Sequence, residues 1–363
     1  MTTLMQASHQ WRTRPADERF TSMTALNDFT QQSRQQSSGR VVSSRKLEAH
    51  PIEGDTSAIA VVGPSGNPAY PTHWAFGQLA SRAGAPASYL RELPAPLAAD
   101  CINYGLKYHR DIEDIGVLLH KNGGPAELRA VTGPNYGRVW NHQVTQALVD
   151  RFGNGIDGQF RVPGEFGKKV EVTKANTTLY ASDRDMFVFL ADEENRITIP
   201  NRRNGESGSL ARGFFVWNSE VGKMTFGVAM FLFDYACCNR IVWGAEGYTE
   251  MKFRHTSSAP DRWLSEVYPA ILAYSEASDR PIVAAIEAAQ KKKIDDIDEF
   301  LRKRFSAGVV SAIKAQHELE EFHPIETYWD AATAITAYAR ELPYQDARVD
   351  LEREAGKLLP KVA

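Results

Sequence analysis

Cysteine is scarce. The 363-residue chain holds three, Cys101, Cys237 and Cys238, two of them adjacent. Neighbouring cysteines rarely meet disulfide geometry, and neither a CxxC pair nor a zinc-type Cys/His spacing occurs, so a disulfide framework and a cysteine-built metal site are excluded. Such thiols suit a reducing, cytoplasmic setting. Long apolar runs are also lacking. The most apolar stretch, 226–242, is broken by Asp234, Asn239 and Arg240, short of the roughly 18 uninterrupted apolar residues of a membrane span. The N-terminus has no apolar core and does not read as a signal peptide. There is no excess of positive charge: 42 Lys+Arg stand against 45 Asp+Glu, net −3. A nucleic-acid role must therefore rest on a local patch. No GxGxxG follows a strand and no GxxxxGK[ST] loop is present, so the two common phosphate cradles are missing and no cofactor is implied.

What is present describes a folded chain. Hydrophobic residues at 43% and charged residues at 24% are ordinary for a globular protein, and the length allows two or three domains. Residues 1–50 carry 7 basic and 4 acidic side chains, whereas 261–363 carry 14 and 19, which favours the head and the middle over the tail for phosphate contact. Residues 1–45 read as a flexible polar arm, with QQSRQQSSGR at 31–40 showing no periodicity and Arg12, Arg14, Arg19, Arg34, Arg40 and Arg45 available to a polyanion. Residues 46–258 read as an α+β core domain and 259–363 as a helical C-terminal region.

Within the core, the segment 71–94 predicts a helical hairpin, with Trp74, Leu79, Tyr89 and Leu90 on apolar faces, Gly84 at the corner and Pro86 in the second helix's first turn. Its second helix offers a DNA groove only Arg91, Ser88 and Tyr89, so a structural hairpin is the better reading. A helix over 97–109, a strand–turn–strand over 114–131 and a helix over 141–152 follow. Strands are expected near 168–174, 177–182 and 185–191, with ENRITIP as a further short one. Residues 211–218 alternate as a central strand, and 226–239 show helical stripes that predict a long buried helix, with Ser219 capping the turn into it. Residues 251–256 read as a strand with Lys252 and Arg254 on one side. Helical spacing recurs over 261–277, 280–293, 295–304, 307–321, 326–340 and 345–358. The fold expected is α+β: a central antiparallel sheet with a long buried helix, followed by an all-helical C-terminal region.

Three segments carry candidate chemistry. Arg129, Tyr136, Arg138 and Trp140 interleave cations and aromatics, a pattern that pairs phosphates and stacks bases, or equally fills a core. The loop NRRNGESGSLARG, 201–213, sets Arg202, Arg203 and Arg212 among glycines and serines and can wrap a phosphate backbone, or be an ordinary hairpin loop. Lys252 and Arg254 supply a second row. Two other clusters are weaker. Asp183, Asp185, Asp192, Glu193 and Glu194 are dense enough for a magnesium-dependent nuclease but sit at turns, where surface acids are common. His317 and His323, six apart, miss the i, i+4 spacing of helical metal ligands, so HELEEFH reads as a solvated acidic face and no metal is expected.

The segments QLASRAGAPASYLRELP, LRAVTGPNY, GFFVWNSEVG, FLFDYACCNRIVWGA and FRHT, with the tail TYWDAATAITAYAR…LEREAGKLL, resemble the phage/plasmid-like family known as domain of unknown function nine-hundred-thirty-two, over roughly residues 45–358. The resemblance implies carriage on bacterial mobile elements and brings no catalytic residue. In outline, a hairpin sheet with a basic loop is similar to single-strand annealing proteins of the Redβ/Erf class. The expectation is a non-enzymatic single-stranded nucleic-acid binder, single-stranded DNA favoured, acting in replication or recombination through Arg129, Tyr136, Arg138, Arg202, Arg203, Arg212, Lys252 and Arg254. A homo-oligomer is implied by analogy, and no membrane partner. The alternatives are a counter-defence factor whose acidic helical tail contacts a host protein, and a metal-dependent nuclease.

Overall fold

Strand-forming runs punctuated by turn residues dominate residues 37–253, and they assemble into two sheets rather than one. The computed structural model describes residues 15–109, 114–162, 171–175, 177–203, 206–234, 239–241, 250–342 and 345–359. The chain enters through β1 (Arg19–Phe20) and the helix α1 (Met23–Gln35), which Ser22 caps by accepting a hydrogen bond from the Ala25 amide. Met23, Leu26 and Thr30 form the buried face of α1. The first, six-stranded sheet comprises β2 (Ser37–Ser43), β3 (Glu48–Ile52), β4 (Asp55–Val62), β5 (Pro68–Pro71), β6 (Asp114–His120) and β7 (Ala126–Thr132), ordered β2-β6-β7-β5-β4-β3. Only β5 and β7 run parallel. Helices α2 (His73–Arg82), α3 (Ala87–Glu92) and α4 (Ala95–Tyr108) bury their apolar faces on it through Leu79, Leu90, Ile102 and Leu106. The helical hairpin, the helix after it and the Asn-Gly-Gly strand pair thus form as their periodicity predicts. At the corner, Gly84 adopts φ +72°, and the His109 ring sits where a Cβ would be, 2.4 Å away, so only glycine fits.

After α5 (Asn141–Phe152), the strands β8 (Phe160–Arg161), β9 (Leu179–Ala181), β10 (Met186–Asp192), β11 (Ile197–Arg203), β12 (Glu206–Asn218), β13 (Phe226–Asp234), β14 (Asn239–Ile241) and β15 (Glu250–Phe253) join β1 in a nine-stranded antiparallel sheet. Its spine is β1-β9-β10-β12-β13-β14, with β8, β11 and β15 beside β10, β12 and β13. One face, with Phe214, Val216, Val228 and Met230, packs under α1, α5 and the helices that follow the sheet. The other gathers Phe187, Phe189, Phe215, Trp217 and Phe231, all drawn from strands.

Four expectations are corrected here. Residues 226–234 are strand β13, not the start of a buried helix: Phe226, Val228 and Met230 point to one core and Ala229, Phe231 and Phe233 to the other. A strand buried on both faces is apolar at every position, so residues at helical spacing are apolar too. Ser219 accordingly ties a strand–strand turn, accepting from the Lys223 amide at 3.0 Å and donating to the Arg184 carbonyl at 2.7 Å. The polar segment 31–40 is no free arm, since it completes α1 and starts edge strand β2. Most of the loop 201–213 is strand, β11 and β12 running up to the Arg203–Glu206 pair. Cys237, Cys238, Arg12 and Arg14 lie outside the described residues.

The described residues of the C-terminal region are mainly helical, as their spacing predicts. α6 (Ala259–Arg262) passes through one π turn, Trp263–Val267, into α7 (Tyr268–Glu276), and α8 (Arg280–Lys291), α9 (Ile297–Arg302), α10 (Ala307–Glu321), α11 (Tyr328–Glu341) and α12 (Gln345–Gly356) follow. They do not stand apart. Ile286, Ile313, Trp329 and Ile335 share a core with Ile199, Leu210 and Leu232 of the sheet. Within the descriptive range no helix is long and apolar enough to cross a membrane.

Two strand glycines make room for rings. A Cβ on Gly227 would fall 2.2 Å from the Trp217 ring, and one on Gly213 2.3 Å from the Phe231 ring. Gly227→Ala should therefore cost about 1–3 kcal/mol through overpacking, read as a lower urea midpoint with an altered Trp217 emission spectrum.

Candidate functional site

The turn 218–222, between β12 and β13, is where the two sheets meet. Its carbonyls are taken by side chains from the other sheet and its connections. Trp74 Nε1 and Gln78 Nε2 donate to the Val221 carbonyl at 3.0 and 2.8 Å, Tyr136 Oη to the Ser219 carbonyl at 2.7 Å, and Arg138 Nε to the Glu220 carbonyl at 2.7 Å. In return, Glu220 Oε1 accepts from the Asn141 amide at 2.7 Å, and Asn218 Nδ2 donates to the Val139 carbonyl at 2.7 Å. The Arg138 guanidinium lies 5.4 Å from the Tyr136 ring and 5.3 Å from the Trp140 ring, and Arg34 lies 4.2 Å over Trp140. Burial pushes the Glu220 carboxyl above the usual carboxylate range and lowers Arg138 from its ordinary value, with their mutual attraction opposing both. His255 stacks on Tyr136 with ring centres 4.8 Å apart and donates from Nδ1 to the Gly137 carbonyl at 3.1 Å.

Beside this junction opens a cleft of about 820 Å³. Its floor is the polar face of α2. His73, Trp74, Gly77, Gln78, Ser81 and Arg82 recur at i, i+1, i+4, i+5, i+8 and i+9, so one helical stripe carries all six. Ala75, Leu79 and Ala80 face the other way, into the core. Arg91 of α3, His109 after α4, the 131–136 segment with Tyr136, and Gly222 complete the wall. Arg91 Nη2 donates to the His73 carbonyl at 2.9 Å, and its guanidinium lies 5.0 Å over the Phe76 ring, holding it at the rim. Among the described lining residues there is no aspartate or glutamate. Four nitrogen bases, two aromatic rings and the amide and hydroxyl groups of Gln78, Ser81 and Thr132 thus converge on one concavity.

The eight residues singled out in the sequence do not share one channel. Tyr136 lines the cleft and Arg138 stands behind it in the junction. Arg129, on β7, is half-buried and donates to Ser33 Oγ at 3.2 Å and to Glu127 at 3.4 Å. Lys252 and Arg254 are exposed, and neither lines the cleft. Arg212 is interior, 7% exposed, with Nη1 donating to the Ala277 carbonyl and, at 3.3 Å, to the Tyr274 carbonyl. On β12 its position falls on the face beneath α7, where it neutralises the free carbonyls at that helix's end. Arg202 and Arg203 end β11, at the opposite end of β12 from Asn218. Twelve strand steps separate Glu206 from Asn218, which is about 40 Å. Four of the five acids expected of a nuclease have partners: Asp192 Oδ1 accepts from the Glu194 and Asn195 amides, Asp185 pairs with Ser182 and Lys223, Glu193 with Arg161, and Asp183 with Arg184, while Glu194 is exposed.

His73, Gln78, Arg82 and His109 were missed in the sequence. For the first three the signal was present, as a stripe at i, i+5 and i+9 on a helix read for its apolar faces, whereas His109 joins them from beyond α4. Comparison of the chain with protein-family models, with curated proteins and with solved structures finds no match.

The junction also sets an acid limit on stability. Burial, and to a smaller degree Arg138, lowers His255 to about 4, and burial likewise lowers His120 and His142. An unfolded chain takes up the proton near pH 6.5, whereas the folded chain resists it until about pH 4. The stability due to His255 is complete above pH 6.5, falls as the pH drops, and by pH 4 has lost about 3 kcal/mol. Raised Glu220 acts in the opposite sense. His255→Phe, which keeps a ring on Tyr136 without a proton to bind, should flatten this acid limb in urea unfolding measured between pH 7 and pH 4.

Proposed function

We propose that the protein binds single-stranded nucleic acid, single-stranded DNA in the first instance, and that the cleft on α2 is where a phosphate and a base are seated. The observation that carries this reading is the lining: Arg82, Arg91, His73 and His109 gather beside the Trp74 and Tyr136 rings. Guanidinium groups neutralise phosphates with release of counterions, and aromatic faces hold bases without reading sequence. A site built this way binds strands of any sequence and weakens steeply with salt. The resemblance to a phage/plasmid-like family supplies the setting, replication or recombination of a mobile element. Arg212 has no part in this reading, and Arg202 and Arg203 are separate from the cleft.

The test is a fluorescence-anisotropy titration of a labelled single-stranded oligonucleotide at several salt concentrations. Arg82→Ala with Arg91→Ala should weaken binding uniformly across sequences and reduce the slope of log K against log salt by about 1.4, two phosphate contacts at roughly 0.7 each. Binding that does not depend on salt, or that the double variant leaves intact, overturns the proposal. So does purification with one stoichiometric protein and no affinity for nucleic acid, which favours the host-protein alternative.

A steric block gives an independent check. Gly77 lies inside α2, and a Cβ there meets nothing closer than the Arg91 guanidinium at 3.7 Å. Gly77→Leu should therefore fold with equal or greater stability, since leucine is the better helix former by roughly 1 kcal/mol, while its side chain, set among the lining residues beside Arg91, narrows the cleft and weakens binding.

A further inference from the structure

We propose that His317, His323 and Asp330 form a site for a divalent transition metal of the Zn²⁺ class, clipping the end of α10 to the start of α11. A continuous helix would put residues 317 and 323 on different faces. The chain is not continuous there. α10 ends at Glu321, and Phe322 takes a left-handed conformation, φ 61°, that turns the chain back on itself. His323 thereby returns to His317, with ring centres 5.1 Å apart and planes at 82°. Asp330, in the first turn of α11, comes to the same place, so that one ligand atom from each of the three residues lies within 4.8 Å of the others. Tetrahedral zinc, with bonds of roughly 2.0–2.2 Å, needs its ligands about 3.4 Å apart. A small shift of the half-exposed His323 ring and of the α10–α11 turn that carries it, toward Asp330 and the buried His317 ring, closes that difference.

Two details of the surroundings point to a ligand. His323 Nδ1 lies 2.8 Å from the Pro324 carbonyl and donates to it, which leaves the Nε2 lone pair free of that bond. Metal-binding histidines are oriented in this way by a backbone acceptor. Asp330 accepts the Thr327 and Glu326 amides, at 2.9 and 3.1 Å, both on Oδ2, so its carboxylate is fixed while Oδ1 carries neither bond. Two imidazoles and one carboxylate form a donor set of borderline softness, suited to Zn²⁺ and its neighbours rather than to Mg²⁺ or Ca²⁺. Water completes the fourth position. The site is remote in sequence from the α2 cleft and stands independently of nucleic-acid binding.

The test uses the full chain, stripped with chelator and dialysed. Isothermal titration should give one Zn²⁺ per chain, Zn²⁺ should raise the Tm, and Co²⁺ in its place should show the intense visible absorption of a tetrahedral nitrogen–oxygen site. His323→Ala should weaken binding roughly 100-fold or more, given that even the partners of ligands count for 10–100-fold. Asp330→Asn keeps an oxygen for the helix cap and should fold normally by circular dichroism while also losing affinity. Failure of the stripped protein to bind Zn²⁺, or equal affinity in both variants, overturns the site.

Discussion

Three successive carbonyls, those of Ser219, Glu220 and Val221, hold the two sheets together. Tyr136, Arg138, Gln78 and Trp74 each donate to one of them. Ser219 and Val221 are buried, and an unpaired buried carbonyl costs as much as a lost hydrogen bond. The donors come from α2 and from the loop after β7, both packed with the first sheet, and so they fix how the two layers meet. Asn218 and Asn141 complete the arrangement from the other side, through Val139 and through each other.

The same clamp shapes the cleft. Trp74 Nε1 and Gln78 Nε2 donate to the Val221 carbonyl, Gln78 Oε1 accepts from the Val131 amide at 2.9 Å, and both side chains line the concavity. Tyr136 spends its hydroxyl on Ser219 and leaves a ring edge in the wall. The interleaved Arg129-Tyr136-Arg138-Trp140 pattern thus has both of the meanings it suggested. Arg138 and Trp140 serve the packing, where a guanidinium between two aromatic rings is a compact way to bury a cation. Tyr136 serves the packing and the site together. Neutral His255, stacked behind Tyr136, ties this loop to the nine-stranded sheet, and its protonation would place a second cation beside Arg138.

Much of the architecture was legible in the residues. The longer C-terminal helices, α5 and the helices that flank Gly84 show a 3.6-residue apolar period bounded by Gly, Pro or a capping side chain, and such signals are local. β13 was not legible, because a strand apolar on both faces has no period to report, and only the partners on either side reveal it. β2 failed for the opposite reason, being a polar edge strand whose pairing with β6 depends on a distant hairpin. Arg212 looked like a free cation because nothing near it in sequence announces the helix end, more than sixty residues on, that it satisfies.

The amino-acid sequence on its own determined the class of fold, the helical C-terminal region and most element boundaries, since hydrophobic period, turn residues and caps act over a few residues. The tertiary structure alone decided which cations are surface and which are interior, and it alone brought α2, α3, the end of α4 and the 218–222 turn around one cleft, and His323 back to His317. Those juxtapositions follow from long-range pairing and from a single left-handed residue, and neither leaves a periodic trace in the chain.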